Sequence, residues 1–458
     1  MHHTKNRQQI LFGIYLFLYL FFAIVLVIRQ PFGNPPDEYN RFLIPKYIAE
    51  HGTLPNGYDE SIRIYGYGFS YGFQPILPYM LQGYTMRLVA VFTDSQTALL
   101  YTARSVNVLL GLCMAIVVWF LGSKWFQDRR FSVLFSFLVT FLPQSIYMHT
   151  YVNTDSCCML SIAIMLYAVT EGLSHDFRIR DCVLLSVGII LCALSYYNAY
   201  GFILSCILLF TAGHLHRKSK LIFDWKNWLK KGCLISAIVL LGIAWWFIRS
   251  AILYDGDILG LTSRDQCALL YAIPQFHPDT RITWQNSGHS IFDMLKNSDF
   301  LNTSLLSFIG IYGAMEITST IWMYRAYKYG FFLALILCMV ISDKKTIHFG
   351  NSINKKTSLK NFFHGNMIFC ILLPVFLSIW YSYTTDYQPQ GRYLLPSLIP
   401  LAYYAVKGVE KFFSLSTPKH KFPERVISIT IVFTLVLILF FFAVMIFGYA
   451  LPFYQTLR

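Results

Sequence analysis

Charge is scarce in this chain. Asp, Glu, Lys and Arg make up 13% of its 458 residues, against 56% apolar residues and a mean hydropathy of +0.50. So little charge excludes an ordinary soluble domain, in which about a quarter of residues are charged. A phosphate-cradling P-loop and a Rossmann glycine fingerprint are also missing, so a nucleotide-using cytoplasmic enzyme has no foothold. There is no CxxC pair, and every cysteine except Cys267 lies in or beside an apolar run, which excludes a disulfide framework and a thiolate zinc site. The histidines His51, His149, His277 and His289 lack the paired spacing of a zinc site. No internal repeat is visible, which weighs against a transporter built from duplicated halves.

What the chain does have is a series of apolar runs, each near the roughly 20 residues that a bilayer crossing requires. Read against loop charge, they predict about eleven spans. These lie near 10–28, 98–121, 131–149, 155–171, 182–195, 199–213, 232–249, 324–342, 362–381, 393–409 and 426–448. The first follows Lys5 and Arg7 and lacks a small-residue cleavage site, so it reads as a retained signal-anchor helix. The expected fold class is all-α: a polytopic transmembrane helical bundle, forming a single integral membrane domain over residues 1–458. With the N-terminus inside, the basic residues gather in the cytoplasmic loops and most acidic residues on the outer side. The net charge of +14 is then a record of topology, and no nucleic-acid partner is expected.

Two outer segments, 29–97 and 250–323, are too long to be simple connectors, and long loops in compact proteins usually carry function. In the first, Glu38 to Glu50 mixes apolar and charged residues at helical spacing and is ended by His51-Gly52, as in an amphipathic surface helix. Gln74 to Phe92, interrupted by Pro75, Pro78, Gln82, Gly83 and Arg87, reads as a second interfacial or re-entrant helix. Ser304 to Tyr324 carries the same ambiguity between spanning the membrane and lying at its surface.

The chemistry is expected at Pro35-Pro36-Asp37-Glu38-Tyr39, just past the first span. The proline pair stiffens the chain and holds two adjacent carboxylates at one membrane face, where either can serve as a general base. The competing reading is a helix N-cap with acidic first-turn residues. Arg41, Arg104 and Arg392 lie on the same side, and guanidinium groups suit phosphate because their N–H donors form a fixed fork. Arg104 and Arg392 lie inside spans or beside them, where an unpaired charge is costly and tends to be functional. Asn153 and Asp155 flank the tip before the fourth span, where Asp155 can position a hydroxyl or cap the helix. Outer-loop aromatics, among them Tyr58, Tyr65, Tyr67, Tyr71 and Trp284, offer flat faces for sugar rings.

Together these features resemble the C-type glycosyltransferase (GT-C) superfamily: an N-terminal span, a Pro-Asp-Glu motif opening an outer helix, a proline-bearing second helix and an arginine at Arg104. Within it, the chain resembles bacterial membrane proteins with an N-terminal PPDE, an Asn-x-Asp (Asn153 to Asp155) and a late Gln-Gly-Arg-Tyr (Gln390 to Tyr393). The resemblance implies transfer of a sugar from a polyprenyl-phosphate donor to an acceptor glycan or glycolipid. The transfer would occur at the extracytoplasmic face of the plasma (inner) membrane, in cell-surface polysaccharide synthesis, with inversion. Asp37 is then the expected general base, with Glu38 assisting. Arg392, Arg104 and Arg41 hold the donor phosphate, and Asn153, Asp155 and Gln390 bind acceptor or sugar. No cofactor is required by this scheme, although a divalent metal on the carboxylates is compatible with it. Relatives often carry His four residues after the motif's Asp, where this chain has Arg41, which weakens a metal role there. A polysaccharide polymerase or ligase and a lipid-linked sugar flippase remain as alternatives.

Overall fold

The computed structural model describes residues 2–217, 221–341, 356–415 and 422–457. In chain order the helices are α1 (His2–Arg29), α2 (Glu38–His51), α3 (Leu77–Ala90), α4 (Gln96–Trp125), α5 (Arg129–Thr140), α6 (Pro143–Met148), α7 (Asp155–His175), α8 (Ile179–Ala193) and α9 (Tyr200–Gly213). They continue as α10 (Trp225–Leu253), α11 (Leu261–Tyr271), α12 (Ile291–Asn297), α13 (Phe300–Gly310), α14 (Ile321–Val340), α15 (Lys356–Thr384), α16 (Leu398–Ser414), α17 (Glu424–Ala443) and α18 (Leu451–Thr456). The one sheet among the described residues is a short antiparallel hairpin pairing Leu215–Arg217 with Leu221–Phe223.

Among the described residues, seven helical stretches are long and apolar enough to cross a membrane: Gln8–Arg29, Gln96–Trp125, Asp155–His175, Trp225–Leu253, Ile321–Val340, Leu359–Thr384 and Glu424–Thr456. The four other expected spans are helical but shorter or interrupted. Residues 182–195 and 199–213 correspond to α8 and α9, and 393–409 begins as a 3-10 turn (Gly391–Ser397) that continues into α16. The expected span at 131–149 requires correction: it divides into α5 and the six-residue α6. Pro143 is the cause, because a proline pushes the preceding residue out of helical conformation, and Leu142 sits at φ −57, ψ 126. Residue 342, the end of the expected span at 324–342, lies outside the described residues.

The helix at 74–92 forms as α3, which begins at Leu77 with Pro78 in its first turn. At 14 residues it is about 21 Å long, short of a hydrocarbon core of about 30 Å. The region 304–324 is also divided, with α13 ending at Gly310 and a bridge joining Tyr312 to Ile317 before α14.

Helix α7 is the bundle's axis, with most of its length buried, and it packs on α4, α8 and α9. At the end of the bundle opposite Asp37, its buried Glu171 meets Lys124 of α4 at 2.7 Å and Arg180 of α8 at 3.0 Å, which ties three helices together. At the Asp37 end the two long loops form one layer. Residues 57–68 are bonded to 254–273 through Gly57 N–H to the Tyr254 hydroxyl (2.9 Å), Cys267 Sγ to Gly68 O (3.2 Å) and Ile273 N–H to Gly66 O (3.0 Å). Tyr67 stacks on Phe276 with ring centroids 4.5 Å apart. Gln285 N–H then bonds Tyr383 O, so the second loop is also fixed to the end of α15.

Candidate active site at the head of helix α2

Asp37 occupies the N-cap position of α2, yet its side chain makes no capping bond. Its backbone is left-handed, at φ 60, ψ 5, a conformation that Asp and Asn adopt more readily than other non-glycine residues. The carboxylate meets Arg392 instead, accepting from Nη2 at 2.5 Å, with Arg41 Nη2 3.7 Å from the same oxygen. Burial by itself would raise the Asp37 pKa, but the two guanidinium groups prevail and hold it at about 2. Asp37 is thus ionised at neutral pH, and about a third of its side chain remains exposed.

Glu38, one residue on, faces the protein interior with no exposed surface. Its Oε1 accepts from Arg104 Nε (2.8 Å) and Val152 N–H (3.2 Å), and its Oε2 from Arg104 Nη2 (2.6 Å) and Gly33 N–H (3.2 Å). Arg104 is equally buried and spends its remaining donors on the carbonyls of Val27, Gln30 and Pro31. Every polar atom of this pair is engaged by protein. It welds the end of α1, the first turns of α4 and the start of α2, leaving neither partner turned toward a ligand.

Arg41 and Arg392 differ in this respect. Arg41 is held by Tyr79, whose hydroxyl accepts from Nη1 at 3.2 Å, and by Tyr71, whose ring lies 4.9 Å below the guanidinium. Arg392 is held by the Pro36 carbonyl (3.5 Å) and the Tyr393 hydroxyl (3.1 Å). Tyr393 in turn bonds Gln388, and Gln388 Nε2 donates to Asp386 at 2.6 Å. Both arginines are buried, and in both Nε has no partner.

Asp155, also buried, has one carboxylate oxygen without a partner and lies within electrostatic reach of Arg41 and Arg392. Gln390 likewise has an unpartnered buried Oε1. Asn153 does not join this group. Its amide donates to Met148 O and Tyr151 O, and its carbonyl accepts from Ser156 N–H, so it fastens the turn that starts α7.

Gly391 explains the spacing of the Gln-Gly-Arg-Tyr motif. A Cβ there would overlap the backbone of Phe308 in α13, so only glycine lets the 3-10 turn carrying Arg392 lie against that helix. Gly391→Ala is expected to destabilise the protein by about 1–3 kcal/mol through overpacking. The measurement is the thermal unfolding midpoint in detergent, and an unchanged midpoint would refute the packing argument.

Sequence reasoning missed Tyr79, Gln388 and Asp386 as parts of the site. Nothing local marks them: Tyr79 supports Arg41 across 38 positions, and the Asp386–Gln388–Tyr393 relay depends on a turn whose shape is set by α13 and α15. Gly68-Phe69-Ser70-Tyr71-Gly72 has the spacing of a nucleophile elbow, but Ser70 is fully buried and donates to Gly57 O at 2.7 Å. It lies in a loop with no strand before it, so it is no nucleophile.

Among the described residues no group of three or more His, Cys, Asp or Glu side chains could hold a metal ion. The Asp37 carboxylate already faces two cations.

A family model described as a predicted membrane protein (DUF2142) matches residues 62–402, well over half of the chain. The chain belongs to this family. The match makes the protein an integral membrane protein, in accord with the seven long apolar helices among its described residues. Arg104, Asn153, Asp155, Gln390 and Arg392 fall within the part that defines DUF2142, whereas Asp37, Glu38 and Arg41 precede it.

By sequence, no curated protein matches this DUF2142 member. Solved structures do match by fold. The oligosaccharyltransferase of Archaeoglobus fulgidus, tethered to an acceptor peptide, aligns at a TM-score of 0.52 and 13% identity, over 94% of this chain and 54% of that one. ArnT from Cupriavidus metallidurans, bound to undecaprenyl phosphate, aligns at 0.52 and 12% identity, over 98% of this chain and 73% of that one. The chain therefore spans about half the length of the archaeal enzyme. Its fold is similar to that of these two membrane enzymes, in accord with the sequence resemblance to the GT-C superfamily.

Proposed function

We propose that this protein is a membrane glycosyltransferase that moves a sugar from a polyprenyl-phosphate-linked donor to a glycan or glycolipid acceptor. The reaction is placed at the extracytoplasmic face of the plasma membrane, in cell-surface polysaccharide synthesis. The observation that carries this reading is the convergence of Arg392 and Arg41 on Asp37 at the head of α2, in a chain with the GT-C fold. Two buried guanidinium groups, each with a free Nε, offer the charge and geometry that a phosphate ester needs. An ionised carboxylate beside them offers a proton acceptor.

In the proposed reaction the acceptor hydroxyl attacks the anomeric carbon as the bond from that carbon to the phosphate oxygen breaks. Asp37 takes the hydroxyl proton. The departing phosphate keeps the bonding electron pair and is stabilised by Arg392 and Arg41. A single displacement of this kind inverts the anomeric configuration. Asp155, with its free carboxylate oxygen, orients the acceptor or sugar together with Gln390. Glu38 and Arg104 act one layer back, by fixing where α2 begins.

Undecaprenyl phosphate is a direct probe of the phosphate assignment. Arg392→Ala is expected to weaken its binding at least tenfold, because a guanidinium–phosphate contact is charge-assisted and poorly replaced by water. Native mass spectrometry of the detergent-solubilised protein measures this, and equal binding by wild type and variant would remove Arg392 from the phosphate site.

A further inference from the structure

An arginine grips a phosphate best along one edge, with Nε and Nη2 donating side by side to two oxygens. Arg104 shows that edge fully used, on the two oxygens of Glu38. In Arg392 the same edge is half used. Nε has no partner, while Nη2 gives one hydrogen to Asp37 and the other to Tyr393. Nη2 carries only two hydrogens, so none is left for a phosphate oxygen while Asp37 remains in place.

The proposed reaction poses a second difficulty for the resting arrangement. In an inverting displacement the proton acceptor and the departing phosphate stand on opposite sides of the anomeric carbon. Here the carboxylate is in direct contact with the group that is to hold the phosphate. Its same oxygen also lies nearest to Arg41.

We infer that Asp37 occupies the donor phosphate's place between Arg392 and Arg41, so that phosphate binding displaces the carboxylate and frees it to act as the base. This rests on the functional reading above and adds to it a coupling between two events. A lipid phosphate that enters completes the edge of Arg392 with its own oxygens. Asp37 then turns toward the acceptor, freed from the ion pair that made it a weak base. Until donor is bound, the protein holds its carboxylate neutralised and unable to activate a hydroxyl or water.

The coupling makes an unusual demand: removing the carboxylate's charge must improve donor binding while it destroys turnover. Undecaprenyl phosphate binding is measured for wild type, Asp37→Asn, Asp155→Asn and Arg392→Ala, each checked for monodispersity. Asparagine is well tolerated in left-handed backbone, so Asp37→Asn keeps the fold at this position. Asp155→Asn removes an equal charge near the same arginines without touching the edge of Arg392, and so separates direct competition from general electrostatics.

The expected result is binding about tenfold tighter for Asp37→Asn than for wild type, a smaller gain for Asp155→Asn and a loss for Arg392→Ala. Equal or weaker binding by Asp37→Asn would overturn the inference, as would an equal gain in the two asparagine variants. In both cases the phosphate assignment survives if Arg392→Ala still loses affinity. Binding by none of the proteins, or equal binding by all four, would overturn the assignment itself and the inference with it.

Discussion

Asp37→Asn is expected to reduce glycosyl transfer by about 10²–10⁴-fold, the usual contribution of a positioned general base, with folded protein still present in the membrane. The expectation follows from the two faces of this residue. Structurally the change to Asn is mild: the side chain makes no cap bond, the left-handed backbone suits Asn as well as Asp, and the amide oxygen can still accept from Arg392 Nη2. Chemically it is not, because an amide has no basic oxygen with which to take the acceptor's proton. The measurement is turnover of a panel of polyprenyl-phosphate-linked sugars with a crude glycolipid acceptor fraction, wild type beside variant. Donor consumed equally by both would remove Asp37 as the base. Consumption by wild type alone would also identify the sugar.

Arg104→Ala is expected to do the opposite kind of damage. It leaves the Glu38 carboxylate buried with no cation, and breaking a buried pair in this way costs about 3–5 kcal/mol. The three carbonyls at the end of α1 also lose their donor. Yield of monodisperse protein and its unfolding midpoint should fall sharply, before any question of catalysis arises. Arg104→Lys should rescue little, since one ammonium carries three donors and cannot reproduce five in a planar fork. A double change, Glu38→Gln with Arg104→Met, should cost less than Arg104→Ala, because no uncompensated charge stays buried. An Arg104→Ala protein of full stability that had lost phosphate binding would return Arg104 to the ligand site.

These two results would divide a dipeptide. Asp37 and Glu38 are adjacent and chemically alike, and composition and spacing give them equal standing. The left-handed turn at Asp37 sends one carboxylate to the arginines and the other into the space beside α4. Asn153 and Asp155 divide in the same way: one is consumed by its own loop, and the other keeps a free oxygen within electrostatic reach of Arg41 and Arg392. Sequence position identified the clusters, but it carried no information on which member of each would remain available.

Apolar runs and loop charge were enough to establish an all-helical membrane protein, the place of each long helix and the end of the bundle that carries the acidic motifs. Those properties depend on segment length and on the transfer of side chains to lipid, which are local sums over the chain. Where the chain breaks within a run was also written locally, in Pro143, although the apolar pattern obscured it. Only the tertiary structure decided that Arg104 belongs to Glu38 and Arg392 to Asp37, pairings across 66 and 355 positions. It also decided that Gly391 must be glycine, because Phe308 lies against it. The physical reason is that a guanidinium's partner is set by which carboxylate the packed helices bring within about 3 Å, and that distance is a property of the whole bundle.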